Sequence, residues 1–133
     1  MGNQADEHGT DVEIYFRPFP PTVHIDTPTG APAALHDMLD RLGLERHTDN
    51  FGDLTFIHHR APEHLDIHEQ KRVASAAIPA LLLAGYKTSC SPRVFDQAAF
   101  ETAALKLRAD ESRAVEQSDQ AASATPAPAG RSL

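Results

Sequence analysis

Apolar and polar residues alternate from the first patterned stretch of the chain. In DVEIYFR, Val12, Ile14 and Phe16 interleave with Glu13, Tyr15 and Arg17, the period-two signature of a strand with one buried face. Pro18, Pro20 and Pro21 then forbid a continuous central strand through PFPP. Alternation resumes in TVHIDT, where Val23 and Ile25 face one way and His24 and Asp26 the other.

The period then changes. Leu35, Met38, Leu39 and Leu42 fall on one side of a helix expected over 31–42, with Pro32 tolerated in its first turn. Gly43 followed by Leu44 reads as its stop, glycine taking the left-handed position. ERHTDNFGDLTFIHHR predicts a hairpin turning at 49–53, with 54–59 as its stronger strand. A second helix is expected over 67–84, with Val73, Ala74, Ala77, Ile78, Leu81 and Leu82 as its stripe. Asp66 and Glu69 supply a capping box, and Pro79 removes one backbone donor inside the helix. Gly85-Tyr86 repeats the earlier stop. Residues 87–90, extended by Val94-Phe95, supply a last strand, and Asp96 caps a third helix carrying Phe100, Ala103, Ala104 and Leu107.

Strand (22–27), helix, strand, strand, helix, strand is the split βαβ order, β-α-β-β-α-β, of a ferredoxin-like α+β fold. To it the pattern adds 12–17 as an extra N-terminal edge strand and 96–110 as a C-terminal helix. Residues 1–10 are expected to be a disordered N-terminus and 11–110 a single α+β domain. Residues 111–133 are expected to be a fraying helix end and a disordered tail rich in Ala, Pro and Ser. Leu54 and Phe56 point to one side of their strand and Ile57 to the other. Because a ferredoxin-like sheet carries helices on one face only, its open face should be partly covered, by the C-terminal helix or by the sheet of a second subunit.

Composition narrows the function classes. The 133 residues suit one domain, and six Phe, two Tyr and no Trp make its core mainly aliphatic. A single cysteine, Cys90, excludes an internal disulfide framework and fits a reducing compartment. The longest apolar run, AIPALLLAG, is too short to span a bilayer, which takes roughly 20 residues. With no basic-then-apolar leader in MGNQADEHGT, a cytoplasmic location is expected. Formal charge is −7, with 8 Lys/Arg against 13 Asp/Glu in residues 1–95, so no basic stripe invites nucleic acid.

Four of eight histidines crowd into FIHHRAPEHLDIHEQ among Glu63, Asp66 and Glu69. His58, His59, His64 and His68 are the candidate metal ligands, for a divalent ion such as zinc. The i, i+4 spacing of His64 and His68 would put both on one helical face. A helix begun early enough to include them would, however, turn Leu65 into water, and adjacent strand residues such as His58 and His59 diverge. HUH nicking endonucleases share this strand order, yet His24-Ile25-Asp26 has Asp where their second histidine stands. RNA recognition motifs stack bases on sheet aromatics, and TVHIDT has none. The exposed YFRPFPP segment offers Tyr15, Arg17 and Phe19, with Ile57, as a partner-binding edge. The sequence therefore points to a small non-catalytic binding or regulatory module without a cofactor. It would act by protein–protein contact or as a homodimer through its sheet. A metal-dependent enzyme is the first alternative and a nucleic-acid-binding or HUH-like domain the second.

Overall fold

The computed structural model of the chain describes residues 4–124, with side chains described as far as Glu111, Phe51 excepted. Within that span the elements are α1 (Gln4–His8), β1 (Val12–Pro18), β2 (Pro21–Asp26), α2 (Ala33–Arg41), β3 (Glu45–Phe51), β4 (Leu54–Arg60), α3 (Ile67–Leu83), β5 (Thr88–Cys90) and α4 (Gln97–Ala124). The described strands form one open mixed sheet in the order β3-β4-β2-β1-β5, antiparallel throughout except for the parallel pair β1–β5. The architecture is α+β.

β1 is not at the edge where the pattern places it. Val12, Glu13 and Ile14 pair with Thr88, Ser89 and Cys90, while the opposite side of β1 pairs with β2 from Glu13 to Pro18. The prolines permit this because β5 is only three residues long: Pro18 lies beyond its reach, opposite Pro21 at the mouth of the β1–β2 turn.

Alternation decides which side of each strand is buried. Val12, Ile14, Val23 and Ile25 face α2 and α3 and meet Leu35, Leu39, Ala74, Ala77, Ile78 and Leu81. Each fully buried Leu, Ile or Val contributes about 1.5–3 kcal/mol of transfer free energy. The helix boundaries follow local chemistry. Asp66 Oδ1 accepts from Glu69 N at 2.9 Å and Asp96 Oδ1 from Ala99 N at 3.0 Å, both N-caps. Gly43 (φ 95°) and Gly85 (φ 93°) close α2 and α3, with Leu44 N bonded to Leu39 O and Tyr86 N to Leu81 O.

Three further segments differ from the pattern. Residues 4–8 are helical: Ala5 is fully buried, Gln4 N donates to Asp26 Oδ2, and Thr29 donates to the Asp6 carboxylate through N at 3.0 Å and Oγ1 at 2.7 Å. Val94 and Phe95 form no strand. Their backbone N–H groups both turn back to Ser91 O. The α4 backbone continues to Ala124, past the point where fraying was expected, and the rest of the expected tail lies outside the described residues.

α4 does not cover the second sheet face. It packs on α3, where the buried Ser75 Oγ accepts from Asp96 N at 2.8 Å. The part of the second face that is covered is covered by α1, over Asp26 and Glu13: His8 Nδ1 lies 3.1 Å from Glu13, whose carboxylate also accepts from Thr10 Oγ1.

Candidate functional site

The uncovered part of the second face carries a row of rings. Register makes it. Tyr15 lies opposite His24, and His47 opposite His58. His24 faces Arg60, which places His58 diagonally beside it. Successive ring centroids are 5.7 Å (Tyr15–His24), 6.0 Å (His24–His58) and 5.4 Å (His58–His47), with planes within 29° of parallel. The row thus crosses four strands, β1, β2, β4 and β3.

Charged groups flank it on both sides. The Arg17 guanidinium lies 5.7 Å from the Tyr15 ring centroid. Arg60 Nε donates to His58 Nε2 at 3.2 Å, which fixes that nitrogen as an acceptor and leaves the proton on Nδ1, turned toward Asp49. Tyr15 donates its hydroxyl to Asp26 at 3.1 Å. Burial first, then the neighbouring Arg17 and Arg60, push His24 down to about 4. Burial and then Arg60 lower His58 as well, so both rings are neutral at pH 7. Burial and then Asp26 raise the Tyr15 phenol.

Beside the row, β2 ends at Asp26 while β4 runs on, since β4 pairs with β2 only through His59 and Arg60. The gap between the free edge of β4 and the loop after β2 is a cleft of about 650 Å³. It opens through the plane of the sheet, which is why His58 and Phe56 from one face and Ile57 and His36 from the other line the same space. A hollow of about 340 Å³ lies on the other side of His24, bordered by Phe19, Pro21 and Glu63.

The four candidate metal ligands are not brought together. His58 belongs to the ring row, whereas His59 is fully buried on the helix side, with Nε2 2.8 Å from Asp40 Oδ1 on α2 and its ring stacked 5.8 Å from His36. His64 and His68 sit on the loop after β4 and the first turn of α3, both exposed. Among the described residues no group of three or more His, Cys, Asp or Glu is arranged to hold an ion. Of the candidate partner residues, Tyr15 and Arg17 lie on the second face, Phe19 projects from the β1–β2 turn at 94% exposure, and Ile57 faces the helices and lines the cleft.

His47 was not singled out by sequence, and His24 only as an incomplete match to the HUH pattern, because nothing local connects either to His58. The usable signal was hairpin arithmetic: residues equally distant from a turn face each other, which sets His47 against His58 across Gly52-Asp53 and Tyr15 against His24 across Phe19-Pro20. Compared with known proteins, the chain matches no protein-family model, no curated protein and no solved structure.

Proposed function

We propose that the protein is a non-catalytic binding module whose working surface is the second face of its sheet. The observation that carries this reading is the ring row Tyr15–His24–His58–His47, flanked by Arg17 and Arg60 and left uncovered by all four described helices. Strand positions that only need to fold favour β-branched residues such as Thr and Val. Three histidines at facing positions, two of them held neutral by burial, work against folding in acid and are better explained by recognition.

The fold that accompanies this reading is a ferredoxin-like core, β2-α2-β3-β4-α3-β5, into whose sheet β1 is inserted between the first and last strands. The chemistry of the face suits a polar ligand or partner better than a second copy packed dry against it. Among the described side chains, Leu54 and Phe56 bring apolar surface near the β3–β4 tip, and the remainder is Tyr, His, Arg, Asp, Glu, Thr and Ser.

Stability tests the reading even while the partner is unidentified. Replacing His24, His47 and His58 singly by Thr should leave the unfolding free energy within about 0.5 kcal/mol at pH 7, or raise it, as expected where residues serve binding. Losses above about 1 kcal/mol at all three sites would make the row a folding device and end the proposal.

A further inference from the structure

Three side chains from three strands stand between the cleft and the smaller hollow. Arg17 of β1, His24 of β2 and Arg60 of β4 line both. Register again brings them together: His24 lies directly across from Arg60, and Arg17 follows two residues after Tyr15, the other neighbour of His24, on the same face. In a chain of formal charge −7, this places two guanidinium groups beside one buried imidazole.

The nearby carboxylates keep their charge but are turned to other groups. Asp26 accepts from the Tyr15 hydroxyl and Gln4 N, Asp49 faces His58, and Glu45 accepts from Glu63 N on the far side of Arg60. Only Glu63 engages one of the two arginines, at Arg60 Nη1, and it does so from an exposed position. The His24 ring finds no hydrogen-bond partner among the described residues. The two arginines, Arg17 and then Arg60, are the strongest charges acting on it.

We propose that Arg17, His24 and Arg60 form the anion subsite of the cleft, and that the ligand is a small phosphate monoester whose flat apolar body lies along Phe56 and Ile57. This rests on the reading of the second face as a binding surface and names what it binds. A phosphate monoester offers three terminal oxygens to three convergent donor groups, and guanidinium forks match that geometry. A carboxylate offers two oxygens. The adjoining cleft has the size of a small-molecule site, typically about 300–1,000 Å³, and its walls include Pro28, Ala31 and Ala33 beside Phe56 and Ile57. A nucleic-acid strand is a poorer match because it needs successive cations. The next arginine along the cleft, Arg46, is already committed to Asp37 and Asp40.

Calorimetry of the full chain with phenyl phosphate, inorganic phosphate and benzoate tests the assignment, with histidine ring resonances followed by NMR. Phenyl phosphate should bind saturably, about tenfold tighter than either half-ligand, and should shift His24 and His58 while leaving the exposed His64 and His68 in place. Arg17→Gln and Arg60→Gln should each weaken it by about tenfold or more. Arg17 is exposed and its variant is expected to fold; amide dispersion checks both. Failure of phenyl phosphate to saturate, equal binding of benzoate, or affinity unchanged by both substitutions would each overturn the proposal. If the ring row still proved dispensable for stability, the binding-surface reading would stand with a different ligand. If it did not, that reading would fall first.

Discussion

His58 and His59 are consecutive residues of β4 that serve opposite faces of the sheet: His58 lies between His24 and His47, while His59 reaches through the core side to Asp40 at 2.8 Å. The two histidines therefore carry different burdens. Partial desolvation raises the Asp40 carboxyl, but hydrogen bonds from His59 and Arg46 outweigh it and hold it below its ordinary value. Burial lowers His59 in spite of Asp40, so the ring is neutral, with Nε2–H donating to the carboxylate. Its Nδ1 is buried without a hydrogen-bond partner among the described residues.

Asp40→Ala should accordingly cost about 1–3 kcal/mol, because it strands the second nitrogen of a fully buried ring. His58→Ala should cost less than about 1 kcal/mol, since one side of that ring already faces the cleft. Urea denaturation of the two variants compares them directly, and equal losses would contradict the division of roles.

Acid should weaken the fold before its carboxylates titrate. His24, His36, His58 and His59 all have folded values below 6.5, with burial as the largest cause in each, and His24 is pushed to about 4. The unfolded chain takes up protons near pH 6.5 that the folded chain refuses. Stability is therefore complete above pH 6.5 and declines as pH falls through the folded values, down to about 4 for His24. Denaturant midpoints at pH 7.5, 6, 5 and 4 should drop in that order, and His24→Thr should flatten the slope. A midpoint constant from pH 7.5 to 5 would refute the prediction.

Gln70 is a buried clamp between α3 and β2. Its Oε1 accepts from Val23 N and its Nε2 donates to Leu65 O, both at 3.0 Å. Gln70→Leu leaves the Val23 donor beside the ring row with no partner, at an expected cost of about 1–3 kcal/mol. Hydrogen exchange should show faster exchange at the Val23 amide in that variant than in the wild type.

Gly43→Ala tests the helix stop. With φ at 95° and no atom within 4 Å of an added Cβ, the cost is backbone strain without a clash. About 1 kcal/mol is expected in thermal unfolding.

Much of the fold was legible because its signals are local. The Val12-Ile14-Phe16 alternation, the Gly43 and Gly85 stops and the Asp66 and Asp96 caps each depend on a few neighbouring residues. What escaped is set by partners distant in sequence. QADEH carries no apolar stripe, so α1 forms because Ala5, Gln4 and Asp6 find Asp26, Thr29 and the sheet. Alternation likewise assigned β1 a buried face without revealing that both of its edges are paired. The histidine run drew attention by density, yet a sheet gathers side chains across strands, and only His58 of that run joined His24 and His47.

The insertion of β1 between β2 and β5 also bears on the order of assembly during synthesis. β1 leaves the ribosome well before β5, yet one of its two neighbours consists of Thr88–Cys90, and Lys87 N closes the junction on Asp11 Oδ2 at 2.8 Å. The β1–β2 hairpin and the β3–β4 hairpin can form early from adjacent residues. One edge of β1 must then wait, unpaired, until α3 has been made and the chain returns alongside it.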